Sequence, residues 1–481
     1  MEKEEFNKNK EKFGDPFRET SFPKPLSIKE IVEQYKEEKP VSLAGRVISK
    51  REHGKSGFAH LADSTGKIQI YARLNNLGQE FELFKSLDIG DILGVEGKLF
   101  TTRTEEITVI ADKIKLLAKA YRPLPEKWHG LKDVEVRYRQ RYLDLIANDQ
   151  ARDVFRKRTE IVSLIRKFFE NLSFVEVETP MLHHIPGGAA GRPFETFHNA
   201  TSNKVYLRIA PELYLKRLLV GGFDKVYEIN RSFRNEGLSR RHNPEFTMLE
   251  AYAAYFDYQF MMKVCEDLFT NLAKEFCGSL IFEYQGKKID FTTPWQRISL
   301  ASLFKKEFDI NPEDEYKEVV VKISKKIKLK EGLSRSQILK LCEELIEKNY
   351  PQDKPAFITD FFTWTSPLAK QSKDNPNLVE RFELFIAGIE VANAYSELND
   401  PVEQKKRFVA QQKDKEVDSK IDQDFIKSLE YGMPPATGLG VGIDRLVMIL
   451  LNQPSIRDVI LFPLLKSKQD LEEKAQDSSI S

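Results

Sequence analysis

The sequence predicts an α+β protein in which a small five-stranded β-barrel precedes a larger domain, an antiparallel sheet flanked by helices. Two patterns carry this prediction. Five short segments of alternating polarity follow one another between residues 41 and 117, and a helical segment near 79–87 separates the third from the fourth. From about residue 151 to 466, strands and helices mix without the strand–helix–strand rhythm that is typical of parallel sheets.

The composition excludes several classes of protein. The 75 basic and 74 acidic side chains give a net charge of +1, and 41% of the residues are hydrophobic, which argues against a disordered polyelectrolyte and a globally basic nucleic-acid-coating protein. No run of ~18 apolar residues indicates a membrane span, and the charged N-terminus does not resemble a signal peptide. Three cysteines without CxxC spacing argue against disulfides and zinc. We therefore expect a cytoplasmic protein with no membrane partner.

The chain is expected to contain five regions. In order, they are a charged tail with an N-terminal helix, the barrel, a linker, the larger domain and a flexible polar tail. Their predicted bounds are 1–40, 41–120, 121–150, 151–466 and 467–481, with a helical insertion at about 311–350. Ser27 and Glu30 form a capping box that predicts the start of the N-terminal helix. Apolar residues at helical spacing predict a long amphipathic helix over 153–172.

The order of elements in the barrel is that of an OB-fold, a partly open barrel that binds single-stranded nucleic acid. Many small β-barrels have five strands, so the order alone leaves the function open. From the residue pattern alone, Phe58 is interpreted as a core residue of the barrel.

The standard nucleotide-binding loops are missing. The chain contains no GxxxxGK[ST] loop, and the glycine-rich segment 438–442, GLGVG, does not have the Rossmann spacing. A nucleotide site in this protein therefore has to be built in another way.

Three segments carry groups suited to such a site. In the first, Arg234 and Glu236 share one face of a predicted strand, and the loop that follows carries several cations, among them His242, before Phe246 offers a stacking face. The alternative is a solvated hairpin with surface salt bridges, which contribute only ~0–1 kcal/mol each and do not require so many cations.

The second segment, 381–399, places two carboxylates in an apolar run. Glu383 and Glu390 would lie on opposite faces of a regular strand, and a turn or bulge at 387–388 would return them to the same side. Buried carboxylates need a partner, and hard oxygen ligands without His or Cys suit Mg²⁺. Buried ion pairs in an ordinary sheet are the alternative. Farther on, three polar residues alternate onto one face: Asn393, Tyr395 and Glu397.

The third segment, 438–445, is a glycine-rich stretch that leads into an apolar helix. Arg445 lies at the predicted start of this helix, where the helix dipole also favours anions. Such junctions are common, so this segment is a weak signal by itself.

Together, these segments resemble the signature motifs of class II aminoacyl-tRNA synthetases: 171–182 resembles motif 1, 231–246 motif 2 and 438–445 motif 3. The set APELYLKRL, FRNEG, RHNPEFTMLEAY, SELND and GLGVGIDR is similar to the class II (subclass IIb) lysyl-tRNA synthetases specifically. The match runs from about residue 41 to 463 and includes the OB-fold.

The resemblance implies a homodimeric ligase that uses ATP and Mg²⁺ to activate L-lysine as lysyl-adenylate and then transfers lysine to the 3′ end of tRNA(Lys). The implied catalytic residues are Arg234, Glu236 and Arg445. The implied ATP-binding residues are Arg234, Glu236, His242, Asn243, Phe246, Glu383, Gly442 and Arg445, and Mg²⁺ would be held by Glu383 and Glu390.

The resemblance also implies residues for the two other substrates. Lysine would be bound by Gly188, Glu212, Arg234, Glu250, Tyr252, Asn393, Tyr395 and Glu397. The anticodon would be read in the OB-fold by Arg51, Phe58, Gln69 and Glu106.

Two other functions are weighed against this one. An aspartyl- or asparaginyl-tRNA synthetase would need a cationic substrate pocket, which Glu212 and Glu397 disfavour. An inactive paralogue that binds RNA is disfavoured by the presence of Arg234, Glu383 and Arg445.

Overall fold

The computed structural model describes residues 14–124, 131, 133–189, 191–327, 335–413 and 421–466. The predicted tail 467–481, the first 13 residues and part of the predicted linker lie outside these ranges. The chain divides into two compact units, Met1–Lys132 and Asp133–Ser481. Within the described ranges, no helix combines the length and the apolar character needed to cross a membrane.

The first unit is a closed barrel with the strand order β1-β2-β3-β5-β4. Its strands are β1 (Pro40–His53), β2 (Ser56–Ala62), β3 (Lys67–Arg73), β4 (Ile92–Thr101) and β5 (Ile107–Ala118). Its helices are α1 (Ile28–Glu33), α2 (Leu74–Leu77) and α3 (Glu80–Ser86), and a single 3-10 turn lies at Pro16–Arg18. The predicted OB-fold is therefore confirmed, with its helical segment between the third and fourth strands.

Local sequence explains how the barrel is closed and covered. Helix α1 begins at the predicted capping box, in which Ser27 and Glu30 each satisfy the other's backbone N–H, and Ile28 is buried with the barrel core. Lys119, at the end of the last strand, is almost fully buried with its Nζ 2.6 Å from Asp88 and 2.8 Å from Asp91. A buried ammonium needs such paired carboxylates to remain charged.

The second unit is built on an eight-stranded sheet and three smaller sheets. Its strands are β6 (Val175–Glu176), β7 (Leu182–His183), β8 (Glu195–His198), β9 (Asn203–Leu207), β10 (Lys225–Phe233), β11 (Glu245–Ala254), β12 (Ile281–Tyr284), β13 (Lys287–Asp290), β14 (Gln296–Ser299), β15 (Ala356–Thr359), β16 (Phe361–Phe362), β17 (Leu378–Val379), β18 (Arg381–Ile386), β19 (Ile389–Ser396) and β20 (Ala436–Gly442). The large sheet has the order β14-β15-β18-β19-β20-β11-β10-β6, and the small ones are β7-β9-β8, β12-β13 and β16-β17.

Helices cover this sheet and connect its strands. They are α4 (Val134–Arg139), α5 (Arg141–Ala147), α6 (Asp149–Asn171), α7 (Glu212–Val220), α8 (Tyr258–Cys277), α9 (Leu300–Phe308), α10 (Tyr316–Lys326), α11 (Arg335–Asn349), α12 (Pro401–Lys413), α13 (Gln423–Glu430), α14 (Ile443–Leu450) and α15 (Ile456–Val459), with 3-10 turns at Asn199–Thr201 and Thr363–Thr365. The predicted α+β class is confirmed. The sheet is antiparallel from β15 to β10, while its edge strands β14 and β6 pair in parallel with their neighbours.

Some predicted boundaries differ from the structure. The long helix α6 begins four residues before the predicted 153–172, because Asn148 caps it by accepting a hydrogen bond from the Gln150 N–H. The predicted linker 121–150 stays a prediction; helices α4 and α5 lie in its second half, and Tyr138 is buried within the second unit. Helices α10 and α11 lie within the predicted insertion, whose residues 328–334 are outside the described ranges.

Arg141 fixes α5 to the end of the second unit. Its side chain is 1% exposed and donates to Asp144 and to the carbonyls of Leu461 and Arg457 at 2.6, 3.0 and 2.8 Å. Leu461 and Arg457 belong to the segment that directly follows α14. Arg141 therefore also holds the end of the helix that carries Arg445.

Replacement of this arginine should destabilise the second unit strongly. Arg141→Met leaves buried carbonyls unpaired, so we expect a loss of about 3 kcal/mol in the free energy of unfolding, measured by urea denaturation. Arg166 forms a partly exposed ion pair with Glu176 at 3.0 Å, so Arg166→Met should cost no more than ~1 kcal/mol. Equal urea midpoints for the two variants would contradict this assignment.

Candidate active site

A cavity of about 1710 Å³ lies in the second unit, over one face of the large sheet. It brings together nearly all the residues proposed for catalysis and for ATP, metal and lysine binding. Those that line it are Gly188, Glu212, Arg234, Glu236, His242, Asn243, Phe246, Glu250, Tyr252, Glu383, Glu390, Asn393, Tyr395, Gly442 and Arg445. Glu397 alone among the predicted set does not line the cavity, since it is fully buried.

The register of the sheet explains this convergence. Across four neighbouring strands, one row of paired residues runs from Glu383 through Asn393 and Gly440 to Glu250. The adjacent row on the same face, two residues away along each strand, is Arg381, Tyr395, Gly438 and Tyr252. Glycines therefore occupy the middle of both rows, and the side chains from the strands on either side meet over them.

The predicted turn at 387–388 is confirmed, and it works together with a bulge. Ala387 and Gly388 have positive φ angles of 51° and 81° and connect β18 to β19. The register also shifts by one residue between Leu384 and Phe385. Both Glu383 and Glu390 consequently line the cavity.

One end of the cavity is acidic. Glu212, the first residue of α7, is buried, and its Oε1 accepts hydrogen bonds from Lys216 at 2.6 Å and from the Tyr395 hydroxyl at 2.7 Å. Gly188 lies beside it with a φ of +88°, and a Cβ there would be 3.2 Å from the Glu212 Cβ. Only glycine adopts this backbone conformation readily.

Glu397 follows β19 and is fully buried. Its Oε2 lies 2.5 Å from Lys216 Nζ. Its Oε1 accepts no hydrogen bond within the described part of the chain, and it is only 2.2 Å from where a Cβ on Gly438 would be. The Tyr252 ring is 2.4 Å from the same point, so Glu397 and Tyr252 share the space that a side chain on Gly438 would occupy.

The third carboxylate at this end is Glu250. Burial, followed by the nearby charge of Glu212, raises the pKa of Glu250 to about 8, although its Oε2 accepts a hydrogen bond from the Tyr252 hydroxyl at 3.0 Å. Burial and the neighbouring carboxylates also raise the pKa of Tyr252. The acidic end therefore has more carboxyl groups than Lys216 alone can pair, and a cationic ligand would supply further positive charge.

The other end of the cavity is basic and aromatic. Arg234 immediately follows β10, and its guanidinium lies 5.2 Å from the centre of the Phe246 ring. Its Nε is buried and donates no hydrogen bond within the described ranges. An unused donor on a guanidinium is suited to an oxyanion ligand.

A second arginine organises the neighbouring loop. Arg445 donates to the Glu390 carbonyl at 2.7 Å, and its Nη2 lies 2.9 Å from His242 Nε2. Burial, and then the charge of Arg445, lowers the pKa of His242, so the imidazole is held neutral and accepts this hydrogen bond. Asn243 is buried and donates to the Glu245 carbonyl at 2.6 Å, which shapes the loop. Glu236 is exposed at its rim.

Glu383, like the carboxyl groups of the acidic end, is buried with too little positive charge nearby to stabilise its ionised form fully. Burial raises the pKa of Glu383 to about 7, although Arg381 Nη2 lies 2.5 Å from its Oε1. Arg381 Nε also donates to Asn393 Oδ1 at 3.2 Å. This contact orients the Asn393 amide so that its NH₂ group is available to an anionic ligand.

Sequence reasoning missed three residues of this site, and its prediction of an ATP contact at Gly442 stays a prediction. Lys216 lies four residues after Glu212 on α7, and Arg381 lies two before Glu383 on β18, so both spacings were available as signals. The third missed residue is Gly438, where the absence of a side chain lets Glu397 and Tyr252 approach the backbone closely. At Gly442, where we expected an ATP contact, a Cβ would meet only ordinary van der Waals neighbours at 3.6 Å or more.

The predicted anticodon residues lie together on the barrel of the first unit. Phe58 stacks on Tyr71 with ring centres 4.5 Å apart, and Arg51 is its exposed cross-strand neighbour. Gln69 donates to Glu106 at 2.8 Å. The interpretation of Phe58 as a core residue is wrong, because Gly57, Ala59 and Leu61 form the inward face of β2 and leave Phe58 half-exposed.

Glu250 makes a testable contribution to the pH dependence of stability. The folded protein keeps a proton on Glu250 up to about pH 8, whereas the unfolded chain releases it near 4.5, so this stability is complete below pH 4.5 and is lost as the pH rises to 8. Glu250→Gln should therefore flatten the fall in unfolding free energy between pH 5 and 8, measured by urea denaturation of ligand-free protein.

The flattening should be partial, because the pKa values of Glu383 and Glu397 are also raised, to about 7 and about 8. Glu283→Gln, on the exposed hairpin strand β12, is the control that should keep the full slope. An unchanged slope in the Glu250 variant would refute a protonated carboxyl at this position.

Comparison with known proteins identifies the family. A family model described as tRNA synthetases class II (D, K and N) matches residues 133–466, and one described as OB-fold nucleic acid binding domain matches residues 41–117. A protein named lysine–tRNA ligase from Carboxydothermus hydrogenoformans is 51% identical over 95% of both chains. Relatives of the same name from Pelotomaculum thermopropionicum and Aquifex aeolicus are 54% and 51% identical over 90% of this chain, covering 87% and 74% of their own. The chain belongs to the class II tRNA synthetases, within the family of lysine–tRNA ligases.

Proposed function

We propose that the chain joins L-lysine to tRNA(Lys) in two steps, first activating lysine with ATP and then transferring it to the 3′ end of the tRNA. The observation that carries this proposal is the acidic end of the cavity, where Glu212, Glu250 and Glu397 are buried, together with Arg234 in the lining of the same cavity. A zwitterion with an additional ammonium group complements this arrangement.

Lysine selection follows from the charges. In this proposal Glu212 and the Gly188 carbonyl bind the α-ammonium, and Glu397 with Tyr252 binds the ε-ammonium in the space over Gly438. Glu250 is a further polar contact, Tyr395 lines the aliphatic stem and Asn393 helps hold the carboxylate. A site built to pair a charge strongly rejects an uncharged analogue, because its own carboxylate is left buried and unpaired. An aspartate side chain would be repelled.

Adenylate formation needs positioning more than a protein nucleophile. A lysine carboxylate oxygen attacks the α-phosphorus of ATP, and the bond to the bridging oxygen breaks so that pyrophosphate leaves. Arg234, with its unused Nε donor, binds the lysine carboxylate and the α-phosphate and stabilises the charge that develops there. In the second step, a terminal ribose hydroxyl of tRNA attacks the lysyl carbonyl and AMP leaves.

The remaining residues of the basic end are proposed to hold ATP. Phe246 and Arg445 would stack on the two faces of adenine. His242, Asn243 and Glu236 shape and line the loop around the nucleotide, and Gly442 borders it.

Glu383 and Glu390 fit a Mg²⁺ ion that is shared with ATP. Mg²⁺ in such sites uses one or two carboxylates together with phosphate oxygens and water. The fit agrees with the raised pKa of buried Glu383, and among the described residues no group of three or more candidate ligands forms an all-protein site. When bound, the ion would neutralise phosphate charge, while Arg381 and Arg445 orient the two carboxylates.

The first unit is proposed to bind the anticodon. Phe58 and Tyr71 present a stacked aromatic surface, and Gln69, Glu106 and Arg51 surround it with polar groups. Stacking of a base on such a surface is worth ~1–3 kcal/mol.

We further propose that the protein works in the cytoplasm as a two-fold symmetric homodimer. Helix α6 carries more apolar surface than its buried residues use, since Val154, Leu164 and Phe168 are only partly buried. Sedimentation at micromolar concentration should therefore give the dimer mass, and a monomer mass would reject the proposed assembly.

The metal proposal predicts a specific loss of activation. The double variant Glu383→Gln/Glu390→Gln should lower lysine-dependent ATP–pyrophosphate exchange by roughly a hundred-fold or more, because the stabilisation of phosphate charge is lost. Glu283→Gln/Glu430→Gln removes the same charge at exposed positions and should retain wild-type exchange. Activity of the first variant within about three-fold of wild type would reject the assignment.

Variants of the two units should give opposite results in assays of tRNA binding and of lysine activation. Phe58→Ala should weaken tRNA binding by ~1–3 kcal/mol and leave ATP–pyrophosphate exchange nearly unchanged, because adenylate formation does not require the anticodon. Glu397→Gln should abolish lysine activation and leave tRNA affinity intact. A Phe58→Ala protein that loses exchange and unfolds at a lower temperature would instead indicate a structural role for this ring.

A further inference from the structure

A protein ammonium group is buried against the carboxylates at the acidic end of the cavity. Lys216 has a side-chain exposure of 0%, and its Nζ is 2.6 Å from Glu212 Oε1 and 2.5 Å from Glu397 Oε2. The rings of Tyr395 and Phe425 lie 5.6 and 6.0 Å from the same nitrogen. Lys216 therefore contacts both carboxylates that we assign to the two ammonium groups of the substrate.

These carboxylates come from different parts of the fold. Glu212 lies one turn before Lys216 on α7, whereas Glu397 follows β19. The ammonium consequently connects helix to sheet at the place where the slot for lysine ends. Tyr395 strengthens the same connection, since its hydroxyl donates to Glu212 at 2.7 Å.

With lysine bound and all three carboxyl groups of the slot ionised, the charge of the slot balances only when Lys216 is counted. The slot contains three buried carboxylates, those of Glu212, Glu250 and Glu397. L-lysine brings two ammonium groups, and Lys216 provides the third positive charge. The substrate carboxylate is matched separately by Arg234.

We propose that Lys216 is a positioning residue of the lysine slot, whose ammonium favours the ionised forms of Glu212 and Glu397 and holds both carboxyl groups in place before the substrate binds. The proposal rests on the function proposed above. It explains why a lysine lies beside carboxylates that must themselves recognise lysine: two buried carboxylates without a cation would share a proton, and the slot would lose the charge that attracts its substrate.

The electrostatic surroundings agree with this role. Burial raises the pKa of Glu397 to about 8, and the adjacent Lys216 is the group that pulls it down. The other groups that face this cluster are Glu212 from α7, Glu250 and Tyr252 from β11, and Tyr395 from β19, and the two carboxyl groups among them disfavour ionisation of Glu397. Arg208 and Arg234 lower the pKa of Glu250, while Arg208 itself forms an ion pair with Glu228. Without Lys216, the pKa of Glu397 would rise further.

The test uses steady-state ATP–pyrophosphate exchange of the full-length protein with L-lysine as the probe. Lys216→Met keeps the length of the side chain and removes its charge. We expect the KM for lysine at pH 7 to rise about ten-fold or more, while the KM for ATP stays within about two-fold. The ratio of variant to wild-type KM should fall as the pH is raised from 6.5 to 8.5, because higher pH ionises the carboxylates without the help of Lys216.

A matched control separates this role from simple stability. Lys119 in the barrel is another buried lysine held by two carboxylates, so Lys119→Met should lower the unfolding temperature without changing the KM for lysine. Lys216→Arg keeps the charge, and its KM ratio to wild type should not depend on pH.

The outcomes are distinct. A KM for lysine within two-fold of wild type in Lys216→Met, or a KM ratio that does not change with pH, would reduce Lys216 to a structural ion pair. If Lys216→Met does not fold, Lys216→Arg provides the test. A ratio of its KM for lysine to that of wild type that changes with pH would contradict the proposed role of the Lys216 charge. Wild-type exchange that does not depend on lysine would refute the proposed function itself, and it would be visible before any variant is made.

Discussion

The whole site depends on the absence of side chains at two positions of one strand. Gly438 and Gly440 lie in the middle of the sheet, in register with Tyr395 and Tyr252 in one row and with Asn393 and Glu250 in the other. A Cβ on Gly438 would be 2.2 Å from Glu397 Oε1, so any other residue would force this carboxylate out of place. The antiparallel register fixes which side chains meet over the glycines, and the glycines leave the space in which a ligand can reach them.

Buried charge is the second consequence of this arrangement. Glu250, Glu383 and Glu397 all have a raised pKa because burial disfavours their ionised forms, and the protein offsets this only in part through Arg381 and Lys216. Positive charge on the ligands can stabilise the ionised carboxylates further. In our proposal these ligands are the ammonium groups of lysine and the Mg²⁺ ion bound with ATP. The ligand-free site is therefore electrostatically incomplete, and binding of the correct substrates supplies the missing charge.

The sequence predicted the fold well where one element carries its own pattern. The alternation of the barrel strands and the Ser27–Glu30 capping box are local signals, and the structure contains both. The start of α6 was placed too late because its apolar stripe begins after its cap at Asn148. Phe58 was predicted to lie in the core because it is hydrophobic. Only the alternation of buried residues along β2 shows that its side chain faces outward.

The site was less accessible to local reasoning. Its residues were recognised through their resemblance to a family, because pairing such as Glu383 with Asn393, or Lys216 with Glu397, depends on strand register and on contacts between distant segments. The central claim is that this acidic slot selects lysine for activation by ATP. The most direct test is ATP–pyrophosphate exchange measured separately with each of the twenty amino acids. The account predicts that L-lysine is the best substrate and that aspartate and asparagine give only background exchange. Preferred activation of any other amino acid would contradict it.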